Sequence, residues 1–499
     1  MAKINQIESM TKNSTRWSSI TEILTRLIAP IVNMILARLL TPEAFGVIAT
    51  VNMIVSFADM FTDAGFQKFL IQHDFKSKKE FFQYTNVAFW TNLFISVLGW
   101  CIIFVFSEKI AIMTGNEGLK TVIWIAALSL PITSFSSIQS AHYRRNFEFK
   151  SLFFVRLISS FVPLIVTVPL AVITHSYWAM VIGSLSSNLV SAVCLTIKSE
   201  WKPGFYYNVA HLKDMFSFSW WILIESIVVW LASYIGTFIV GVYMTQADVG
   251  YYKTAMTTVN QILTLITTAT SAPLFSGLSA TKHDKERFQE LYYRFIRAVG
   301  VFLVPLGVGI YIFRVLLTNI LLGEQWLCIA DFIGLWALVN VFSIMWGTYC
   351  NGVYNALGRP QLSVLAQVTQ LALLIPVIIV GCKLGFEVLY IARSLVRLEL
   401  IIIQFILMRF CVKINPIKYI SQSWKTMCCT ALMAIFGSVI VYVFSNLFIQ
   451  FVGILFCIII YFSMYYILFR KDLIEAFDTV GVNISGIKRR QTMKTSGNK

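Results

Sequence analysis

The sequence has few charged residues. Only 13% of its 499 residues are Asp, Glu, Lys or Arg, whereas 57% are hydrophobic. A soluble domain carries about 25% charged residues, so this chain has too few to cover a surface that faces water. Acidic residues are the scarcer kind, with 24 Asp and Glu against 40 Lys and Arg and a formal net charge of +16. This composition excludes an ordinary soluble globular protein.

Signatures of enzymes and cofactor sites are also absent. The chain contains no G-x-x-x-x-G-K phosphate loop, no H-E-x-x-H metal motif, no D-x-D and no G-x-S-x-G nucleophile elbow. Its nine cysteines form no C-x-x-C pair and lie in or beside apolar runs, as buried small hydrophobic residues do. We therefore predict that the protein is not an enzyme and holds neither a metal nor a cofactor.

Long apolar runs fill most of the chain instead. Residues 87–106, 151–173, 221–243 and 427–448 are examples, and each reaches the roughly 20 residues that cross a bilayer as a helix. Lipid offers no hydrogen-bond partner to a free backbone group, so such runs must be helical. The pattern predicts an all-α polytopic membrane protein with about fourteen transmembrane helices.

The gaps between runs divide the chain into segments. We predict a cytoplasmic N-terminal tail, an N-lobe of six helices, a cytoplasmic linker, a C-lobe of six helices, a second cytoplasmic linker, two further helices and a basic cytoplasmic tail. In that order the segments are 1–16, 17–197, 198–218, 219–410, 411–425, 426–470 and 471–499.

The distribution of basic residues predicts the orientation. With the N-terminus inside, clusters such as Lys76, Lys78 and Lys79 fall in inner loops, and the outer loops hold only Lys109, Lys120 and Lys383. This asymmetry follows the positive-inside rule and predicts that both termini are cytoplasmic. We expect the positive charge to contact anionic lipid headgroups and not nucleic acid.

A short internal repeat recurs at an offset of 204 residues. Residues 41–46 (TPEAFG) match residues 245–250 (TQADVG), and Trp17 matches Trp221. Since each half has an even number of spans, the two lobes are predicted to be related by a pseudo-two-fold axis along the membrane normal, with the last two helices outside the repeat.

Several charged residues are predicted to lie inside the membrane, where a charge is expensive and commonly functional. Glu22 and Arg26 lie one helical turn apart, as do Asp59 and Asp63, and Glu225 lies in the seventh span. We interpret the four acids as candidates for ion coupling or for structural pairing, since both roles fit acids on one helix face.

Arg393 and Arg397 share one face of the twelfth span. Two positive charges on one helix face favour the binding of an anion between them. The alternative is pairing with Glu399 or with an acid on another helix.

Six segments of the chain carry a family resemblance, namely residues 37–46, 58–65, 144–150, 250–252, 322–326 and 356–360. Together they resemble Wzx-type polysaccharide flippases of the multidrug/oligosaccharidyl-lipid/polysaccharide (MOP) exporter superfamily, in the branch of colanic-acid and teichuronic-acid exporters. The resemblance covers most of residues 10–410.

The resemblance implies a flippase of the bacterial inner membrane. Its substrate would be an undecaprenyl-pyrophosphate-linked oligosaccharide for O-antigen, capsule or exopolysaccharide synthesis, moved to the outer leaflet by alternating access. Its partners would be membrane lipids and the polysaccharide polymerase or ligase machinery. The basic residues nominated for the anionic head are Arg26, Arg314, Arg393 and Arg397.

One segment departs from the family pattern. Residues 266–276 are apolar and hydroxylic, without an acid that would bind a coupling cation, which leaves ion coupling open. The alternatives are a drug or small-molecule exporter of the same superfamily and a membrane polymerase or ligase. An exporter of cations would have a more acidic interior, and a polymerase or ligase would usually have a long outer loop.

Overall fold

The computed structural model describes residues 21, 24–25, 27–63 and 65–479. Side chains at positions 63, 217–222, 225, 272 and 419 lie outside this description. Contacts divide the chain into two compact units, Met1–Lys253 and Thr254–Lys499.

The described chain is helical and contains no strand. The first unit contains α1 (Leu27–Leu39), α2 (Pro42–Asp63), α3 (Phe66–Gln72), α4 (Lys78–Met113), α5 (Lys120–Ala126), α6 (Ser129–Arg145), α7 (Phe149–Val162), α8 (Val168–Thr174), α9 (Trp178–Lys198) and α10 (Val209–Tyr243). Helix α11 (Gln246–Thr281) begins in the first unit and ends in the second. The second unit continues with α12 (Lys285–Ile312), α13 (Arg314–Leu321), α14 (Ala330–Ser343), α15 (Cys350–Ala356), α16 (Gln361–Leu384), α17 (Phe386–Leu407), α18 (Pro416–Gln422), α19 (Trp424–Val443) and α20 (Leu447–Thr479).

Twelve helical segments among the described residues are long and apolar enough to cross a membrane. They confirm the predicted all-α, multi-pass membrane protein. Two further segments stand beside these twelve. Helix α1 is a shorter apolar helix, and α17 has 22 residues but carries Arg393, Arg397 and Glu399. The predicted total of about fourteen spans stays a prediction.

In the first unit, α6 packs against α4 and α9, and α2 packs against α4 and α10. Large side chains fill the space between α3, α4 and α6; Phe66 and Leu70 of α3 and Phe89 of α4 are at most 2% exposed. Burying apolar side chains of this size stabilises such packing through close contact.

Arg145, at the end of α6, fastens the chain that follows α3. Its Nη1 donates to the carbonyl oxygens of Leu70 (2.8 Å) and His73 (2.7 Å). The guanidinium also lies over the rings of Phe75 and Phe81, 4.7 and 5.1 Å from their centroids. One side chain therefore satisfies carbonyls at a helix end, which would otherwise lack partners.

The two copies of the repeat meet inside the first unit. A Cβ added to Gly46 would lie 1.7 Å from the carbonyl oxygen of Gln246, and one added to Gly250 would lie 2.0 Å from that of Pro42. Pro42 and Gln246 are separated by the same 204 residues as Gly46 and Gly250. The contact is therefore reciprocal, as expected between equivalent parts related by a two-fold axis.

The start of each repeated helix is capped in the same way. Thr41 Oγ1 accepts from the backbone N–H of Ala44, and Thr245 Oγ1 accepts from that of Asp248. Threonine is a favoured N-cap because its oxygen satisfies a free N–H of the first turn. The matching sequence thus produces a matching local structure.

In the second unit, α12 packs against α14, α19 and α20. Ion pairs hold the end of α20 in place. Glu475 pairs with Arg294 and with Arg297, the latter at 2.8 Å, and Asp472 pairs with Lys425 of α19 at 2.7 Å. Beyond a kink at Phe469, helical structure continues to Thr479, nine residues past 470, the predicted end of the last span.

Gly46→Ala is expected to destabilise the protein, because the new methyl group meets a backbone carbonyl that cannot rotate away. Overpacking of this kind costs about 1–3 kcal/mol. Gly309→Ala in α12 is the control, since a Cβ there has nothing within 4 Å, and alanine is the better helix former. Thermal unfolding of the two purified full-length variants measures the difference, and equal melting temperatures would contradict the close contact.

Candidate functional site

Two arginines of α17 lie over one tryptophan of α14. The guanidinium carbons of Arg393 and Arg397 are 4.7 and 5.3 Å from the ring centroid of Trp336. Trp336 is 1% exposed and Arg393 is 7% exposed. An indole face attracts cations, and the attraction grows when water is excluded. The ring therefore holds two positive charges close together.

Two asparagines fix the tryptophan and one of the arginines. Asn260 Oδ1 of α11 accepts from Trp336 Nε1 at 3.3 Å and from Asn340 Nδ2 at 2.8 Å. Asn340 Oδ1 in turn accepts from Arg397 Nε at 3.1 Å. The chain of hydrogen bonds joins α11, α14 and α17 and satisfies polar groups that lipid could not.

Glu399 is not the hydrogen-bond partner of these arginines. Both of its carboxylate oxygens are buried and have no hydrogen-bond partner among the described residues. The pairing of Arg393 or Arg397 with Glu399, which the sequence left open, is therefore not seen. The described part of the chain also contains no group of acids, histidines and cysteines that could hold a metal ion.

Arg314 lies in a different environment, at the start of α13. Its Nε is 2.5 Å from Asp331 Oδ1, and its Nη1 donates to the carbonyl oxygen of Tyr311 at 3.1 Å. Asp331 therefore pairs with Arg314 and offsets its charge.

Four predicted site residues fall wholly or partly outside the description. Glu22 and Arg26 are outside the described residues, and so are the side chains of Asp63 and Glu225. Their roles stay predictions.

Asp59 lines a small polar cavity in the first unit. Its Oδ1 accepts from Thr62 Oγ1 at 3.1 Å and from Thr133 Oγ1 at 3.2 Å. The cavity has a volume of about 180 Å³ and lies between α2, α4, α6 and α9. Its lining consists of Asp59, Thr62, Asn92, Thr133, Ser134, Ser136, Ser137, Ser140 and Ser191.

A second cavity of about 470 Å³ shares Ser191 with the first. It lies beside α1, α7 and α9, and its polar lining includes Asn33, Arg156, Ser159 and Ser187. The first unit therefore contains adjoining cavities whose walls are rich in hydroxyl groups.

Arg393, Arg397 and Asp59 were predicted from the sequence, whereas Arg156 and the neutral members of these sites were missed. Trp336, Asn340 and Asn260 carry no charge, but Trp336 and Asn340 lie one turn apart in an apolar span. A polar pair at that spacing, like the serine-rich sequence of α6, was a usable signal.

Comparisons with known proteins show the family to which the chain belongs. A model of the family described as polysaccharide biosynthesis protein matches residues 35–331, more than half of the chain. The chain is 24% identical over 306 residues to the succinoglycan biosynthesis transport protein ExoT of Rhizobium meliloti (strain 1021), and the aligned region covers 61% of each protein. It is 19% identical over 392 residues to the lipopolysaccharide biosynthesis protein WzxC of Escherichia coli (strain K12), which covers 76% of each.

Among solved structures, the lipid II flippase MurJ in an inward closed conformation is similar. The TM-score is 0.73, with 16% sequence identity over 91% of this chain and 98% of that one. At this identity the likeness shows a shared fold.

Asn260→Leu is expected to lower the melting temperature of the purified protein. The substitution keeps the side-chain size but leaves Trp336 Nε1 and Asn340 Nδ2 buried without this acceptor, at about 1–3 kcal/mol for each donor. Thr369→Val is the control, because that hydroxyl donates only to its own helix at Leu365. If Asn260→Leu melts no lower than Thr369→Val, the hydrogen-bonded chain does not hold these helices.

Proposed function

Because this chain belongs to the polysaccharide biosynthesis protein family, we propose that it is a flippase for lipid-linked oligosaccharides. The substrate is an undecaprenyl-pyrophosphate-linked repeat unit, carried from the inner to the outer leaflet of the bacterial inner membrane. The matched relatives support this assignment, since one is named a transport protein of succinoglycan biosynthesis and the other a lipopolysaccharide biosynthesis protein.

The observation that carries the proposal is the pair of arginines on Trp336. Moving a pyrophosphate through lipid requires groups that replace its water, and guanidinium groups bind phosphate oxygens with paired N–H donors. Arg393 and Arg397 are held by the ring and by Asn340, so the site is positioned before the substrate arrives. Preorganised charges in a water-poor site bind more strongly than the same charges in water.

The proposed mechanism is alternating access. The saccharide and pyrophosphate enter from the inner leaflet while the polyprenyl chain stays in the lipid. The two predicted lobes then rearrange, and the head is released outside, where a polymerase or ligase uses it. The negative pyrophosphate attracts the two arginines only while it is bound. It can therefore stabilise one conformation of the protein over another.

The remaining nominated residues receive different roles. We propose that Arg314 is structural, since Asp331 pairs with it, and that Asp59 acts through hydrogen bonds. Arg26 remains a candidate for contact with the anionic head. Glu22, Asp63 and Glu225 remain candidates for coupling to an ion gradient.

The predicted domain plan and orientation complete the proposal. Both termini are cytoplasmic, and the last two helices lie outside the repeat. The protein acts as a transporter and not as an enzyme, with membrane lipids and the polymerase or ligase machinery as its surroundings.

Depletion of the protein in its native bacterium tests the function. We expect the lipid-linked oligosaccharide to accumulate in the inner leaflet and the surface polymer to disappear. Repeat units that reach the outer leaflet without being polymerised would indicate a polymerase or ligase instead. Increased drug sensitivity with normal polymer would indicate a drug exporter.

Complementation of the depleted cells tests the site. The variant Arg393→Gln/Arg397→Gln is expected to reduce surface polymer at least about tenfold, because each lost charged hydrogen bond is worth about 1.5–3 kcal/mol and about 1.4 kcal/mol is a factor of ten. Arg409→Gln, which removes an exposed charge just after α17, should complement fully. Full complementation by the double variant, at equal protein levels, would remove these arginines from the site.

A further inference from the structure

The cavity at Asp59 has a wall that is rich in hydrogen-bond acceptors. Ser134 Oγ donates to the carbonyl oxygen of Pro131, and Ser136 Oγ donates to that of Thr133. Thr62 and Thr133 direct their protons to Asp59 or to their own helices. A hydroxyl whose O–H donates one hydrogen bond can still accept hydrogen bonds through its oxygen lone pairs. These side chains therefore present oxygen atoms to the cavity beside a carboxylate.

Asn92 presents the opposite kind of group. Asn92 is 1% exposed and lines the same cavity. Asn92 Oδ1 accepts from Ser96 Oγ at 3.3 Å, while Nδ2 is buried and has no partner among the described residues. A buried donor without a partner costs about 1–3 kcal/mol. Because Asn92 lines the cavity, an occupant that accepted a hydrogen bond from this donor would be stabilised by it.

These two requirements together select the chemistry of the occupant. A metal cation would suit the acceptors and Asp59, but it cannot accept the N–H of Asn92. A phosphate would suit Asn92, but it would meet the carboxylate of Asp59. A hydroxyl group both donates and accepts, so a ligand with several hydroxyl groups satisfies both sides of the cavity.

The second cavity extends the same surface. It adjoins the first at Ser191 and adds Ser159 and Ser187, together with Asn33 and Arg156. Ser187 Oγ donates to the carbonyl oxygen of Ser159, whereas Ser159 Oγ is buried without a partner among the described residues. The two volumes, about 180 and 470 Å³, exceed what a few waters fill at about 30 Å³ each.

We propose that the adjoining cavities of the first unit form a saccharide-binding subsite. Sugar hydroxyls donate to Asp59 and to the hydroxyl oxygens of α2 and α6, and they accept from Asn92. The subsite recognises the sugar part of the substrate, separately from the arginines that receive the pyrophosphate. This inference rests on the proposed function for the identity of the ligand, while the cavity chemistry stands on its own.

Calorimetric binding to the purified full-length protein in nanodiscs tests the subsite. The first probe is the set of water-soluble saccharides that mild acid releases from the cell's lipid-linked pool. Inorganic pyrophosphate and sodium chloride are the second and third probes. We expect the wild-type protein to bind the saccharides, and Asn92→Leu and Thr133→Val to bind them about five- to tenfold more weakly, as befits one lost hydrogen bond.

Matched variants separate a lost contact from a damaged fold. Thr133→Ser keeps the hydroxyl and should bind as the wild type does, whereas Thr133→Val should not. Thr85→Val removes a buried hydroxyl of α4 that bonds only to its own helix, at Phe81, and should also leave saccharide affinity unchanged. Pyrophosphate affinity should be the same in all four variants.

Two results would overturn the subsite. The first is equal saccharide affinity in the wild type, Asn92→Leu and Thr133→Val. The second is sodium binding that these variants abolish while the wild type binds no saccharide, which would make the cavity a cation site. The depletion experiment reports on flipping independently. If Asn92→Leu binds saccharide normally and depletion shows that the protein is needed for flipping, only the subsite is refuted. If the wild type binds saccharide but depletion leaves flipping unchanged, only the proposed function is refuted.

Discussion

The absence of hydrogen-bond partners in lipid is the constraint on which the rest of this structure depends. It makes the apolar segments of the described chain helical, and it favours polar side chains that find a partner inside the protein. Arg397 finds Asn340, Trp336 finds Asn260, and Asp59 finds two threonines. Among the described residues, Asn92 Nδ2 and both carboxylate oxygens of Glu399 are buried without a hydrogen-bond partner, and Asn92 lines the cavity at Asp59. A missing hydrogen bond costs stability, and in the wall of a cavity a polar ligand can supply it.

The fold was largely predictable from the sequence because its main determinant is local. Apolar runs of sufficient length must be helices in a bilayer, and their lengths can be counted without knowing any contact. The repeat at an offset of 204 residues was also visible, through TPEAFG and TQADVG. What could not be read was that the glycines of the two copies touch. Gly46 and Gly250 are needed because each meets a backbone carbonyl of the other copy, and that is a property of packing between distant segments.

The candidate sites were predictable only in part, for a related physical reason. A charge inside the membrane is conspicuous in a sequence, so Arg393, Arg397 and Asp59 were identified. Trp336 and Asn92 are neutral and lie within apolar runs. Nothing in their local sequence shows that two guanidinium groups lie over the Trp336 ring, or that Asn92 Nδ2 has no hydrogen-bond partner among the described residues. Arg314 was nominated from the sequence for binding the anionic head, but in the structure it pairs with Asp331, which lies 17 residues away on another helix. A charge can be counted from the sequence, but its neutralisation depends on the fold.

Reconstituted transport is the most direct test of the central claim, that this chain flips lipid-linked oligosaccharides. The purified full-length protein is placed in liposomes that contain the lipid-linked saccharides extracted from the native bacterium. Membrane-impermeant periodate then oxidises the saccharide in the outer leaflet only. We predict that liposomes with the protein expose nearly all of the saccharide to periodate over time, whereas empty liposomes keep the inner-leaflet share protected. Equal protection in the two kinds of liposome, with the protein shown to be folded, would contradict it.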